Sequence, residues 1–323
     1  MPDIGKESLE TAGKGFFSES ADVVVDTATL TEDEWHKYRK MGIGGSDAAA
    51  VLNVSPWTSA YSLYLKKSGV PLAKEETIDV GQQYIFEYGH AMEPLVANIF
   101  EHITGFEVMI DTFMYRHKKY PFMQANIDRV VKMPDGKLAL LECKTTTFFN
   151  KEAWANGNVP RYYKLQCQHY MAILDVDVCY IACVYGNTIN DFVCRRIERN
   201  LDEEKELIAA EKDFWENHVL ANVAPEYASN GEIESAALMS TIPYADKKKP
   251  KMELEEEFTD NAAQWIELHK RKEQVERILE SINNEMKLIA LPIKEKMGDT
   301  TKGFIKEMGM VVPSCCRHSR MES

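Results

Sequence analysis

The stretch Asn126–Thr145, NIDRVVKMPDGKLALLECKT, reads as a β-hairpin that brings charged groups to one place. Its first arm, Asn126 to Met133, alternates around Ile127, Val130 and Val131. Pro134-Asp135-Gly136 is a strong turn signal between two apolar runs. The second arm, Lys137 to Thr145, is apolar through Leu138, Ala139, Leu140 and Leu141, then presents Glu142 and Lys144. Side chains alternate along a strand, so Glu142 and Lys144 share a face and Cys143 points away. A three-residue loop sets Asp128 opposite Glu142, and a two-residue loop slips the register by one. Either way two carboxylates and an ammonium meet at the end of a buried strand. Their burial is costly unless they pair or bind a metal.

The rest of the 323-residue chain has room for one large domain with an appendage. No run approaches the ~18–20 apolar residues of a membrane span. The acidic, polar N-terminus is unlike a signal peptide. Seven cysteines, scattered without a CxxC pair, read as reduced thiols of a cytoplasmic protein. A net charge of −13 argues against a nucleic-acid partner, but it is unevenly spread. Residues 35–200 carry 19 basic and 17 acidic side chains, so the centre is mildly basic and permits one.

Working outward, residues 1–30 read as a flexible leader with a short strand at Val23–Val25. Thr31-x-x-Glu34 is a capping box opening a helix to Lys40. Gly42-Ile43-Gly44-Gly45-Ser46-Asp47 is a glycine-rich turn leading into a small-residue helix, with Arg39 just upstream. Exposed amides at such a helix start suit an anion, and an ordinary capped turn has the same pattern. Helices are predicted over Ala60–Ser68 and Tyr84–Thr104, the latter carrying His90 and Glu93. Phe106 to Arg116 reads as one continued strand. A helix begins at Phe148, another spans Pro160–Leu174, and strands follow at Tyr180–Tyr185 and Asp191–Ile197. A helix over Leu201–Val223 completes a predicted 31–225 domain. Residues 226–251 read as a linker ending in the lysine run Lys247, Lys248, Lys249 and Lys251. Residues 252–300 read as a charged helical extension interrupted by Pro292. Val275, Leu279, Ile282, Met286, Ile289 and Ile293 follow heptad spacing in it. Residues 301–323 read as an irregular tail, and Cys315-Cys316-x-His318 lacks a full zinc ligand set.

Asp128 and Glu142 are hard oxygen donors and select magnesium or manganese. With the Cys143 carbonyl they make three points of a six-coordinate shell. Lys144, on the same face, is placed to orient a water or steady a phosphoryl charge. The chemistry that fits is metal-assisted phosphodiester hydrolysis. A salt-bridged strand end would use the same residues.

The hairpin does not stand alone. Trp35-His36-Lys37-Tyr38-Arg39 with Gly42–Asp47, then Gly89-x-x-x-Glu93-Pro94, then Asp128 with Glu142-Cys143-Lys144, then Tyr163-x-x-Gln166-Cys167-Gln168-His169-Tyr170-Met171 occur in order. Together they resemble the YqaJ-type viral recombinase family, relatives of the phage lambda exonuclease within the PD-(D/E)XK nuclease superfamily. The resemblance covers about residues 31–220. It implies an α/β (α+β) restriction-endonuclease-like core, a mixed central sheet flanked by helices, with the C-terminal helical extension added. It implies that Asp128 and Glu142 are the principal metal ligands and Lys144 the catalytic lysine. Glu93 would join the metal shell, and Gln166 would orient Lys144 or the nucleophile with Tyr163 beside it. Arg39 and Ser46, with the turn at Gly45, would hold a terminal 5′-phosphate. Ile127 stands where the superfamily name has Pro, and Asn126 where lambda-type enzymes have a Ser that contacts phosphate.

The activity so implied is a Mg2+- or Mn2+-dependent exonuclease on linear double-stranded DNA, 5′ to 3′, leaving single strands for recombination. The implied partners are DNA ends, a RecT-like single-strand annealing protein and further copies of the chain, in a bacterial cell carrying phage or prophage. Alternatives are a RecB-like or endonucleolytic relative and a non-catalytic DNA-end-binding factor. The iron–sulfur branch of the RecB group needs a Cys upstream of the hairpin, and no Cys precedes Cys143.

Overall fold

The computed structural model describes residues 15–70, 80–227, 231–241, 251–298, 302–305 and 310–313. They form two compact units divided between Ala245 and Asp246.

In the first unit, β1 (Asp22–Asp26) precedes α1 (Glu32–Lys40), which the Thr31/Glu34 capping box opens as its sequence dictates. Then come β2 (Ile43–Gly44), α2 (Gly45–Val51), α3 (Ala60–Ser68) and α4 (Val80–Thr104). Strands β3 (Glu107–Met109), β4 (Phe113–Arg116), β5 (Met123–Asn126), β6 (Arg129–Lys132) and β7 (Leu138–Thr145) follow. A 3-10 segment, Phe148–Gly157, leads to α5 (Arg161–Leu174), β8 (Val178–Val184) and β9 (Phe192–Glu198). α6 (Leu201–Asp213) runs on as a π-helix to Leu220, and α7 (Gly231–Thr241) closes the unit. The second unit contains α8 (Thr259–Met297) and the hairpin of β10 (Lys302–Ile305) and β11 (Met310–Pro313).

The strands build the expected mixed α/β core, flanked by helices, as two mixed sheets. One has the order β3-β6-β7-β8-β9 and the other β1-β4-β5-β2. In the five-stranded sheet only β7 and β8 run parallel. α5 lies in the crossover between them, since parallel neighbours need a long connection. Alternation along β7 sorts its two faces. Ala139, Leu141 and Cys143 pack with Val96 and Phe100 of α4. Leu140 joins the larger core with Cys167, Tyr170 and Met171 of α5. Phe100 is fully buried, so truncating it to Ala costs about 3–5 kcal/mol.

Six readings are corrected. The first arm of the hairpin is not one strand: Asn126 ends β5, and β6 begins at Arg129 in the other sheet, with buried Ile127 at the corner. The 106–116 strand likewise divides between sheets as β3 and β4. Period-two alternation locates a strand but not its sheet. The supposed leader is part of the fold from residue 15 onward, because Phe17 and Ala21 are buried and β1 pairs with β4. The supposed linker holds α7, packed on α3. Pro292 does not interrupt α8, which continues to Met297: a lone proline removes one hydrogen bond, and the flanking turns hold. The supposed irregular tail contains the β10–β11 hairpin. Lys247–Lys249, Cys315, Cys316 and His318 lie outside the described residues. Among the described residues no helix is long and apolar enough to cross a membrane.

Candidate active site

The β6–β7 hairpin closes through a three-residue loop: the Met133 amide donates to the Lys137 carbonyl at 2.9 Å, and Gly136 takes φ +82°. Arg129 pairs with Leu141, and continuing that register sets Asp128 across from Glu142. The Cys143 amide donates to Asp128 Oδ2 at 2.7 Å, fixing the carboxylate against the strand end. Glu142 is 2% exposed. Its Oε1 accepts from Lys144 Nζ at 2.5 Å and from Gln166 Nε2 of α5 at 2.5 Å. Gln166 also donates to the Tyr170 hydroxyl at 3.3 Å. The Lys144 ammonium sits over the Tyr163 ring, 5.1 Å from its centroid.

Glu93 reaches the site from α4, on the other side of the sheet. Its carboxylate is bonded to Arg129, which also donates to the Asp128 carbonyl. Arg129 went unnoticed in the sequence. Its signal was position: next to Asp128 on a strand, it must face α4.

Three carboxylates against two cations leave an excess negative charge. Burial and the Asp128 charge push Glu142 up to about 8, with Lys144 pulling the other way. Burial also raises Asp128, against Lys144 and the Cys143 amide. Burial and Asp128 raise Glu93, against Arg129. Lys144 is held above the ordinary lysine value: burial opposes this, but the Glu142 and Asp128 charges outweigh it.

Would this donor set suit a divalent ion? The donors are hard oxygens and their uncompensated charge is negative, so magnesium or manganese fits. Among the described residues no three carboxylate, imidazole or thiol groups converge on one point. Were such an ion to bind, Asp128, Glu142 and the Cys143 carbonyl would be the protein's share of its shell, since Glu93 is turned onto Arg129.

A second cluster adjoins across α5. Arg39 Nη2 donates to Ser46 Oγ at 2.9 Å, and the guanidinium lies over the Trp35 ring at 5.2 Å. A Cβ on Gly44 would stand 3.0 Å from the guanidinium carbon. A Cβ on Gly45 would stand 2.5 Å from the Tyr170 ring and 3.0 Å from Gln166 Cγ. Only glycine lets this turn lie flat between Arg39 and α5. The Gly44 amide is already bonded to Asp47 Oδ2 at 3.0 Å, so it is not offered to an anion. Burial works to raise Asp47, but Arg39 and Lys67 hold it below the usual carboxylate range. Burial in turn keeps Lys67 below the ordinary lysine value, against Asp47. Asn126, at the end of β5, has its Oδ1 buried without a hydrogen-bond partner. A cavity of about 310 Å³ lined by Met133, Lys137, Asp177, Arg196 and Arg199 lies at the opposite, turn end of the hairpin.

The YqaJ-like viral recombinase domain family matches residues 34–177 of this chain. The uncharacterized protein YqaJ of Bacillus subtilis (strain 168) is 31% identical over 292 residues, 89% of this chain and 85% of that protein. Among solved structures, an alkaline exonuclease from Laribacter hongkongensis shares 20% identity at a TM-score of 0.48, covering 64% of this chain and 99% of that one. A phage related exonuclease from Haemophilus somnus 129PT shares 15% at a TM-score of 0.41, covering 58% and 99%. The identity to the Bacillus protein extends over most of both chains, and on it the chain belongs to the YqaJ-like viral recombinase family.

Proposed function

We propose that this chain is a Mg2+- or Mn2+-dependent exonuclease that hydrolyses phosphodiesters of linear double-stranded DNA from the 5′ end, leaving single strands for recombination. The observation that carries the reading is the convergence on one strand end of Asp128, Glu142 and Lys144, with Gln166 delivered to Glu142 by α5. Asp128, Glu142 and the Cys143 carbonyl would hold a divalent ion, which would supply Lewis-acid polarisation of the scissile phosphate. Lys144 orients the attacking water and steadies charge developing on phosphate. Its ammonium is kept in place by the Tyr163 ring and by Glu142. Gln166 locks Glu142, and Arg129 keeps Glu93 poised at the edge of the site. Arg39 and Ser46 hold the terminal 5′-phosphate through charge-assisted hydrogen bonds, which makes the site act at an end. An annealing protein of the RecT kind is the partner for the single strand produced, and the chain acts as a homo-oligomer.

The test is cleavage, with magnesium, of a linear duplex labelled at one 5′ or one 3′ end, beside a closed circle. Early loss of the 5′ label with an intact circle is the expected result. Cleavage of the circle would make the protein an endonuclease, and an untouched linear duplex would make it an end-binding factor.

A further inference from the structure

We propose that Lys67 is a positioning residue for the Arg39–Ser46 anion site: it neutralises Asp47 and anchors the backbone at Arg39, so that the guanidinium stays directed at Ser46 and available to a 5′-phosphate. The inference rests on the reading of Arg39 and Ser46 as a phosphate site.

Lys67 lies in the last turn of α3, where a lysine usually reaches into water. Here its side chain is 6% exposed. Withdrawing an ammonium from water is costly unless its protons find acceptors. Two are present: Asp47 Oδ2 at 2.8 Å and the Arg39 carbonyl at 2.7 Å. The first also accepts the Gly44 amide, so Asp47 is held by one oxygen while the other, Oδ1, faces Arg39 Nη2 at 3.6 Å. Arg39 is thus near a carboxylate without being captured by it, and Ser46 is the hydrogen-bond partner of Nη2.

Two cations and one anion leave the cluster with one net positive charge, the sign a phosphate needs. Without Lys67 the cluster becomes a neutral Arg39–Asp47 pair. A shift of roughly 0.7 Å would then bring Arg39 to an ordinary hydrogen-bond distance from Asp47 and away from Ser46. Neutralising Asp47 as well restores the net charge. A lysine that merely stabilised α3 would produce no such loss and recovery.

The experiment is steady-state kinetics with magnesium on one blunt duplex carrying either a 5′-phosphate or a 5′-hydroxyl. Wild type is expected to show the lower KM on the phosphorylated end. Lys67→Met should raise that KM about tenfold with kcat changed less than about twofold. Lys67→Gln, which still donates to the Arg39 carbonyl but carries no charge, should do the same and serves if the methionine variant fails to fold. The double variant Lys67→Met, Asp47→Asn should recover most of the phosphate preference. A folded Lys67 variant with wild-type KM on the phosphorylated end, or a folded double variant no better than the single one, overturns the role given to Lys67 alone. A wild type that cuts both ends equally well overturns the phosphate-site reading and this inference with it.

Discussion

The carboxylate end and the arginine end of the site are built on opposite charge. At the first, Glu93, Asp128 and Glu142 outnumber Arg129 and Lys144; at the second, Arg39 and Lys67 outnumber Asp47. The first is set on strands and helices of the core, with Glu142 almost wholly enclosed. The second is set on a turn, with Ser46 exposed. On the proposed reading, one end would take a small cation that can enter a tight space, and the other a large anion that stays partly in water. They share one wall, because Gln166 and Tyr170 of α5 touch both the Glu142 carboxylate region and Gly45. What differs is how much of each end is needed for chemistry and how much for choosing where chemistry occurs.

The strongest way to separate the ends is Lys144→Ala. Cleavage should fall about a thousandfold or more while duplex binding, measured by fluorescence anisotropy in calcium, persists. A variant cutting within tenfold of wild type would remove Lys144 from the mechanism. Next is pH. The metal-free Glu142 carboxyl lies at about 8, above its ordinary 4.5, so the stability linked to its proton is present at low pH and lost as pH rises through that window. Binding a cation displaces that proton. The apparent Mn2+ affinity should therefore tighten by up to about tenfold per pH unit until pH reaches about 8, and Mn2+ should raise Tm more above pH 8 than near 6. A pH-independent calorimetric titration would show that Glu142 is not a ligand. Arg39→Ala tests the other end: KM should rise about tenfold on 5′-phosphorylated duplex, and change little on the 5′-hydroxyl form. Equal rises on both would assign Arg39 to general DNA contact. The smallest effect is expected from Gly45→Ala at the shared wall. Its Cβ meets the Tyr170 ring, at a cost of about 1–3 kcal/mol, and Tm should drop by a few degrees. An unchanged melt would mean that α5 and the turn are not in rigid contact.

Much of the carboxylate end was legible because it is local. The Pro134-Asp135-Gly136 turn left only two registers, and the one observed sets Asp128 opposite Glu142. Alternation along Leu138–Thr145 put Glu142 and Lys144 on one face, and the sidedness of the two core clusters agrees. The i, i+4 stripe of Gln166 and Tyr170 likewise follows from helix geometry. What was not legible depends on distant partners. Nothing in the alternation of 123–133 says that the chain changes sheets at Ile127. The capture of Glu93 by Arg129 joins residues on a helix and a strand far apart in the chain. Nothing in the sequence marks Lys67, and only packing shows that it is enclosed against Asp47.

The parallel pairing of β7 with β8 has a consequence for time as well as shape. The segment that closes this pair is the same segment that carries Gln166 and the wall behind Gly45. Parallel pairing across a long connection is a slow step in folding, since the loop must close before contacts reward it. Until it closes, Glu142 lacks its Gln166 partner and the glycine turn has nothing to rest on. A newly made chain would therefore gain its hairpin before it gains the means to cut. In refolding followed by circular dichroism and by DNA cleavage together, cutting is expected to lag behind helix and strand recovery. For a protein of this reading, that delay would keep unfinished copies harmless to the DNA around them.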